Sequence, residues 1–99
     1  MGYLAGGTYA NGLGVKAVNK AVKSFFSQSN KVNKMFKLAR HNLSGFTEKT
    51  ATKLMKDTLA KGTVGVYKTV QSAFWSVMKS EVTFTIINRE IRVSNMWIK

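Results

Sequence analysis

The residues best suited to chemistry lie in and just before segment 37–46, which contains the only histidine of this 99-residue chain. His41 follows three cations, Lys34, Lys37 and Arg40. An unperturbed histidine has a pKa of roughly 6.5, so its imidazole can give or take a proton near neutral pH. Neighbouring cations can stabilise negative charge that develops on a bound anion. The same pattern is also typical of a surface histidine at a helix C-terminus, where positive charge is favourable.

The balance of charge points to a polyanionic partner. Sixteen Lys and Arg residues against four Asp and Glu give a net charge of +12 and a pI near 10.3. Such an excess favours binding to nucleic acid, to an anionic membrane or to an acidic protein. The 44% hydrophobic and 11% aromatic content predicts a packed globule rather than a disordered chain, and the length predicts one domain.

The rarity of ligating side chains argues against metal chemistry. The chain has no cysteine, which excludes disulfides and thiolate metal sites. A single histidine and four scattered acids also make a zinc or two-metal centre improbable. No apolar run reaches the ~18–20 residues that a bilayer helix needs. We therefore expect no metal, no cofactor and no stable membrane insertion.

The first two thirds of the chain carries helical patterns. Residues 1–14 contain five glycines and predict a flexible linker, followed by one domain over 15–99. Apolar residues at helical spacing predict a first helix from Val15 and a second over about 31–40. Thr47 is a suitable N-cap for a third helix, and Gly62 is a usual stop signal.

Beyond Gly62 the apolar period changes from about 3.6 to 2, which is typical of strands. We predict strands over 63–69, 72–78, 81–87 and 90–98, although 70–78 could instead be helical. Asn88 and Arg89 form the turn of the last hairpin. The sequence thus predicts an α+β fold, with N-terminal helices followed by a small antiparallel β-sheet meander.

Alternation along the last two strands predicts which side chains share a face. One face of the last strand would carry Ile91, Val93, Asn95 and Trp97, and the other would carry Arg92, Ser94 and Met96. Thr83 and Thr85 would join the second group. Hydroxyls around a guanidinium suit phosphate, although an ordinary solvated face fits the pattern too. Trp75 and Trp97 could likewise be core residues or base-stacking platforms.

Three segments carry a family resemblance through their order: Lys37-Leu38-Ala39-Arg40-His41, Thr63–Tyr67 and Val93–Lys99. They resemble, in turn, a Lys-Leu-x-Lys-His motif, a first strand and a final Ser-Gly-Trp-Lys strand of the colicin D-like tRNase toxin domains, which are grouped with the barnase, EndoU and RelE type of bacterial toxin ribonucleases. The serine and tryptophan of that family are two residues apart, whereas Ser94 and Trp97 are three apart. Either Asn95 takes the place of the serine, or a one-residue bulge puts Ser94 there.

The resemblance implies metal-free RNA cleavage, in which a histidine moves the proton while the 2′-OH attacks the adjacent phosphate. The catalytic residues would then be His41, Lys37, Arg40 and Ser94. The expected nucleic-acid-binding residues are Lys34, Arg92, Asn95, Trp97, Thr83 and Thr85.

The resemblance also implies a biological setting. The chain would be the C-terminal toxin domain of a larger secreted protein, cleaving tRNA in the cytoplasm of a target cell. An acidic cognate immunity protein would cover a cationic surface formed by Lys34, Lys37, Arg40, Lys49, Lys53 and Lys56. Two alternatives remain open: a non-catalytic nucleic-acid-binding domain, and a membrane-active cationic protein that uses its first helix.

Overall fold

A computed structural model describes residues 14–99, so most of the predicted linker over 1–14 lies outside the described residues. Three helices precede a four-stranded antiparallel sheet in the order β1-β2-β3-β4, which confirms the α+β prediction. The elements are α1 (Val15–Phe26), α2 (Ser29–Lys37), a 3₁₀ turn (Ala39–His41), α3 (Glu48–Lys61), β1 (Thr63–Tyr67), β2 (Val70–Trp75), β3 (Ser80–Ile87) and β4 (Glu90–Ile98). Within residues 14–99, no helix is long and apolar enough to cross a membrane.

Helix α3 begins and ends where local chemistry predicts. The Thr47 side chain accepts a hydrogen bond of 3.1 Å from the Thr50 amide, which satisfies one of the free donors at the helix start. At the other end, a Cβ added to Gly62 would lie 2.5 Å from the Thr58 carbonyl oxygen and 2.9 Å from that of Phe74. Only glycine allows this close approach of the helix end to β2.

The second helix ends three residues earlier than the sequence predicts. Leu38 is extended, with φ −76° and ψ 113°, and the chain then forms the separate 3₁₀ turn. Ala39, which lies in the predicted helix four residues after Met35, is exposed. The buried side chain of Leu43 lies beyond the turn and anchors it. The prediction of one continuous helix over 31–40 is therefore wrong, and the break redirects His41.

The hairpin connections confirm the predicted meander, but some of the strands begin or end at residues other than those predicted. Strand β2 covers Val70–Trp75, so the helical alternative for 70–78 is wrong, and 76–78 belong to a turn. Ile87 pairs with Glu90 around Asn88 and Arg89, whose φ values are 53° and 65°. Two consecutive positive φ values are typical of a tight hairpin turn whose twist matches that of the strands.

A β-bulge at Ser94 changes the faces of the last strand. Thr83 pairs with Asn95 while its neighbour Phe84 pairs with Val93, so Ser94 is an extra residue without a partner. Ile91 and Val93 point to the core before the bulge, and Met96 does so after it. The predicted grouping of Asn95 and Trp97 with Ile91 and Val93 is wrong, because the bulge turns both side chains to the opposite, outer face.

The core lies between the helices and the inner face of the sheet. Helix α1 contacts α2, α3 and β4, and α3 covers β2 and β3. The buried apolar stripe of α1 consists of Val18, Ala21, Val22 and Phe25. One buried polar link joins the layers: the hydroxyls of Thr58 and Ser80 are 2.6 Å apart, and that of Thr58 also donates to the Leu54 carbonyl. This satisfied pair places α3 against the start of β3.

Candidate active site

A cavity of about 280 Å³ lies where three parts of the chain meet. The 3₁₀ turn, the β1–β2 connection and the end of β4 each contribute side chains. The lining residues are Arg40, His41, Tyr67, Lys68, Asn95 and Trp97. Two of them are cations and none is acidic, so the cavity suits an anionic ligand.

The imidazole of His41 is held in one orientation. Its Nδ1 lies 3.0 Å from the carbonyl oxygen of Met35, in the last turn of α2. Since a carbonyl oxygen only accepts, Nδ1 carries the proton and donates it. The same bond satisfies a carbonyl that a helix end leaves without a partner. Among residues 14–99, Nε2 has no hydrogen-bond partner, and in the neutral ring it carries the lone pair.

The turn that carries His41 is tied to the last strand by its neighbour. Asn42 has a left-handed backbone, with φ 57° and ψ 37°, a conformation that asparagine tolerates better than most residues. Its side-chain Nδ2 donates to the carbonyl oxygen of Ile98 at 2.9 Å. The position of His41 relative to Trp97 is therefore fixed from both sides, by α2 and by β4.

His41 is mostly buried, with 4% of its surface exposed, rather than the solvent-reachable residue that the sequence suggests. Burial lowers its pKa below the ordinary value of about 6.5, and the nearby positive charge of Arg40 lowers it further. The hydrogen bond to Met35 acts in the opposite direction without reversing the shift. The ring is thus neutral at pH 7, with a basic nitrogen available.

Two aromatic side chains enclose the cavity. The ring centroid of Trp97 lies 5.9 Å from that of His41 and 5.0 Å from that of Tyr67. Tyr67 and Trp97 belong to the two edge strands, which in a flat sheet lie about 14 Å apart, or three spacings of ~4.8 Å. Because the two rings are in contact, the sheet must curl towards its outer face. Both side chains extend over that face towards each other. Lys68 Nζ lies 5.5 Å from the Tyr67 ring centroid, within cation–π range.

A buried carboxylate lies next to this arrangement. Glu81 pairs across the sheet with Trp97, and it is 4% exposed. Its Oε1 lies 3.0 Å from Lys99 Nζ, an ion pair whose angles do not make a hydrogen bond. Lys99 in turn lies over the Phe74 ring at 4.9 Å. The last residue of the chain thus neutralises an acid that would otherwise oppose anion binding nearby.

Four of the ten predicted site residues come together in the cavity: Arg40, His41, Asn95 and Trp97. Lys34 and Lys37 are exposed on α2 and do not line it.

The other four lie along the sheet. Ser94 donates to the Thr83 carbonyl oxygen at 3.1 Å, and the two hydroxyls are 2.9 Å apart, so they satisfy each other. Arg92, paired with Thr85 in the register, contacts Glu90 at 3.3 Å. Thr83 and Ser94 are therefore in contact as predicted, but the Arg92 guanidinium contacts Glu90 rather than the two hydroxyls.

Tyr67 and Lys68 are site residues that the sequence patterns did not indicate. They lie at the end of β1 and in the following turn, where Lys68 has a φ of 55°. An aromatic residue followed by a cation at a hairpin turn is a weak signal. This pair reaches His41 only because the sheet curls. The alternation of residues along a strand does not predict such curvature. Within residues 14–99, no three His, Cys, Asp or Glu side chains are grouped so as to hold a metal ion.

Comparisons with protein-family models, with curated proteins and with solved structures find no match to this chain. Its function must therefore be inferred from the cavity and from the chemistry that the six lining residues allow.

Proposed function

We propose that the chain is a metal-independent endoribonuclease that cleaves tRNA in the cavity around His41. The observation that carries the proposal is the oriented, neutral imidazole, whose Nε2 has no hydrogen-bond partner among residues 14–99, between two cations and two aromatic rings. An RNA phosphodiester needs these groups: a base for the 2′-OH, positive charge for the phosphate, and surfaces on which bases stack.

The proposed reaction begins when Nε2 of His41 takes the proton of a ribose 2′-OH. The freed 2′ oxygen forms a bond to the adjacent phosphorus, and the bond from phosphorus to the 5′ oxygen breaks. The 5′ oxygen leaves with a proton from solvent, so the products end in a 2′,3′-cyclic phosphate and a 5′-hydroxyl. Arg40 and Lys68 stabilise the extra negative charge on the phosphoryl oxygens in the transition state.

The remaining lining residues provide binding. Trp97 and Tyr67 offer ring faces for bases, which is a sequence-tolerant way to hold single-stranded RNA. The Asn95 side chain is half-buried beside Trp97, with Oδ1 accepting from the Met96 amide at 3.1 Å. Its NH₂ group remains to donate to a base or phosphate. Recognition of unpaired nucleotides fits the exposed loops of tRNA.

The resemblance in segments 37–41, 63–67 and 93–99 supports the biological setting: a toxin domain carried by a larger secreted protein and acting in the cytoplasm of a target cell. An acidic immunity protein would then inhibit it by covering the cations at the cavity mouth. If charge guides that encounter, its association rate should fall steeply as ionic strength rises. A salt-independent rate, with tRNA still bound in the complex, would contradict this mode of inhibition.

The membrane alternative has a structural cost. The apolar residues that would enter a membrane from α1 are Val18, Val22 and Phe25, and all three are buried in the core. Binding through this stripe would require α1 to leave the domain. A non-catalytic RNA-binding role requires no such change, and the cleavage experiment distinguishes it from the enzyme.

The test is incubation of the purified protein with total tRNA in EDTA, followed by analysis of the product ends. We expect discrete fragments ending in 2′,3′-cyclic phosphate, while a DNA oligonucleotide, which lacks the 2′-OH, stays intact. If the RNA stays intact at micromolar protein, the ribonuclease proposal is wrong, and the non-catalytic RNA-binding role is the alternative that remains.

A further inference from the structure

A second concave surface lies between α1 and the β3–β4 turn. Its volume is about 420 Å³, and it is lined by Lys16, Ala17, Lys20, Ala21, Ser24, Arg89, Glu90, Ile91 and Arg92. We call it the α1–β4 groove. It shares no residue with the His41 cavity.

Four cations converge on this groove from three elements. Lys16 and Lys20 are one helical turn apart and therefore share a face of α1. Arg89 lies in the turn between β3 and β4, with φ 65°, and Arg92 projects from β4. Against them stands a single acid, Glu90, so the groove carries a formal charge of +3.

The carboxylate of Glu90 lies among these cations. Its Oε2 accepts from Lys20 Nζ at 2.7 Å, and its Oε1 lies 3.3 Å from a terminal nitrogen of Arg92. One carboxylate thus bridges a helix cation and a strand cation. The remaining two, Lys16 and Arg89, form no ion pair with another residue among 14–99. The groove thus has more positive charge than its own carboxylate neutralises.

We infer that the α1–β4 groove binds the phosphate backbone of the RNA substrate at a point remote from the cleaved bond. The inference rests on the proposed ribonuclease function and names a second part of the same substrate. Phosphodiester oxygens have the charge and acceptor geometry of the Glu90 carboxylate, so they can take the same cations. Lys16 and Arg89, which form no ion pair within the described residues 14–99, add interactions that the carboxylate does not use.

The distance between the groove and the His41 cavity sets a minimum size for the substrate. Arg92 pairs with Thr85 and Trp97 with Glu81, and these partners are four positions apart on β3, or roughly 13 Å at ~3.3 Å per residue. Only an RNA of several nucleotides, or a folded one, reaches both. The groove should therefore increase the affinity for tRNA without taking part in the bond-breaking step.

The experiment measures tRNA binding as a function of salt. It uses the His41→Asn variant, so that binding is read without cleavage. One double variant, Lys16→Gln with Lys20→Gln, removes two groove cations. The matched control, Lys23→Gln with Lys79→Gln, removes the same charge from outside the groove. Lys23 is on α1 as well, but lines a different surface with Phe26 and Lys56.

We expect the groove double variant to lose at least tenfold in tRNA affinity at moderate salt. The slope of log affinity against log salt should fall by roughly 0.7–0.9 for each phosphate that the protein no longer neutralises. The control should lose no more than about twofold. A third variant, Glu90→Gln, should bind more tightly, because it removes the competing carboxylate.

Equal losses in the groove and control variants would overturn the inference, as would unchanged or weaker binding by Glu90→Gln. These outcomes are distinct from failure of the proposed function, which is lack of cleavage by the wild-type protein. Circular dichroism of each variant guards against misfolding. Because the exchanged lysines are exposed, a misfolded variant would itself contradict the structure on which the groove depends.

Discussion

The His41 cavity and the α1–β4 groove are both positively charged concave surfaces, yet they are built in opposite ways. In the cavity, the central group is buried and neutral, its orientation is set by a backbone carbonyl, and an aromatic ring lies beside it. In the groove, long exposed cations surround one carboxylate at the surface. The cavity resembles a site for proton transfer, whereas the groove resembles a site for attraction alone.

This difference indicates that the charge that attracts RNA and the group that transfers a proton are separate features of this protein. A net charge of +12 gives any surface some affinity for RNA, which salt weakens. Catalysis needs in addition a titrating group whose pKa and position suit one proton transfer. Variants should therefore separate the two: those in the cavity should change turnover, and those in the groove should change salt-dependent binding.

The largest effect should come from His41→Asn. The asparagine Nδ2 can replace Nδ1 as the donor to the Met35 carbonyl, whereas no atom replaces Nε2. Cleavage of tRNA should fall by about 10²–10⁴-fold, which is the usual contribution of a general base. Tm and tRNA affinity should stay close to those of the wild type. A variant that cleaves normally would contradict the assignment, and one that also stops binding would make His41 structural.

The second effect concerns the aromatic rings. Trp97→Leu should cost about 1–3 kcal/mol of RNA binding, because one base loses its stacking surface. The matched control is Trp75→Leu, which removes the other tryptophan, whose ring lies under Lys61 instead. Affinity for a short single-stranded RNA is the measurement. An equal loss of affinity in both variants would show that the effect is one of stability rather than stacking.

A smaller effect should distinguish the two neighbours at the bulge. Asn95→Ala should lower kcat/KM several-fold, because the Asn95 side chain lines the cavity. Ser94→Ala should instead cost about 0.5–1.5 kcal/mol of stability, through loss of the hydrogen bond to Thr83, with little change in turnover. Steady-state kinetics and urea unfolding measure the two effects. The opposite pattern would give the catalytic position to Ser94.

The smallest effect is on stability against pH. The folded state lowers the pKa of His41, so between the folded and unfolded values the unfolded chain binds more protons. This contribution to the free energy of unfolding is complete above about pH 6.5 and is lost as the pH falls through the folded value. Urea unfolding should show a fall in stability below pH 6.5 that is smaller in His41→Asn. Identical curves would mean that burial does not disfavour the imidazolium.

Local chemistry makes much of the fold predictable. The Thr47 cap, the Gly62 stop and the Asn88-Arg89 turn act through neighbouring residues, and the structure has each of them as predicted. The break at Leu38 is not predictable in this way. It is stabilised by the buried side chains of His41 and Leu43, which lie beyond the end of the helix.

The site is predictable in part for the same reason. The segment that contains Arg40 and His41 identifies the candidate base and one cation. The faces of β4 are predicted wrongly, since strict alternation cannot reveal the extra residue at Ser94. Tyr67 and Lys68 join the site only through sheet curvature, which depends on tertiary structure and leaves little trace in local sequence.

The most direct test of the central claim uses the single histidine as its own probe. An NMR titration of the His41 ring protons would give its pKa, first for the free protein and then with a 2′-O-methyl RNA that binds but lacks the 2′-OH. We expect a pKa below 6.5 in the free protein and an increase when RNA binds, because a phosphate at Nε2 favours the imidazolium. A pKa that stays the same at saturating RNA would mean that no phosphate reaches His41, and would contradict the proposed active site.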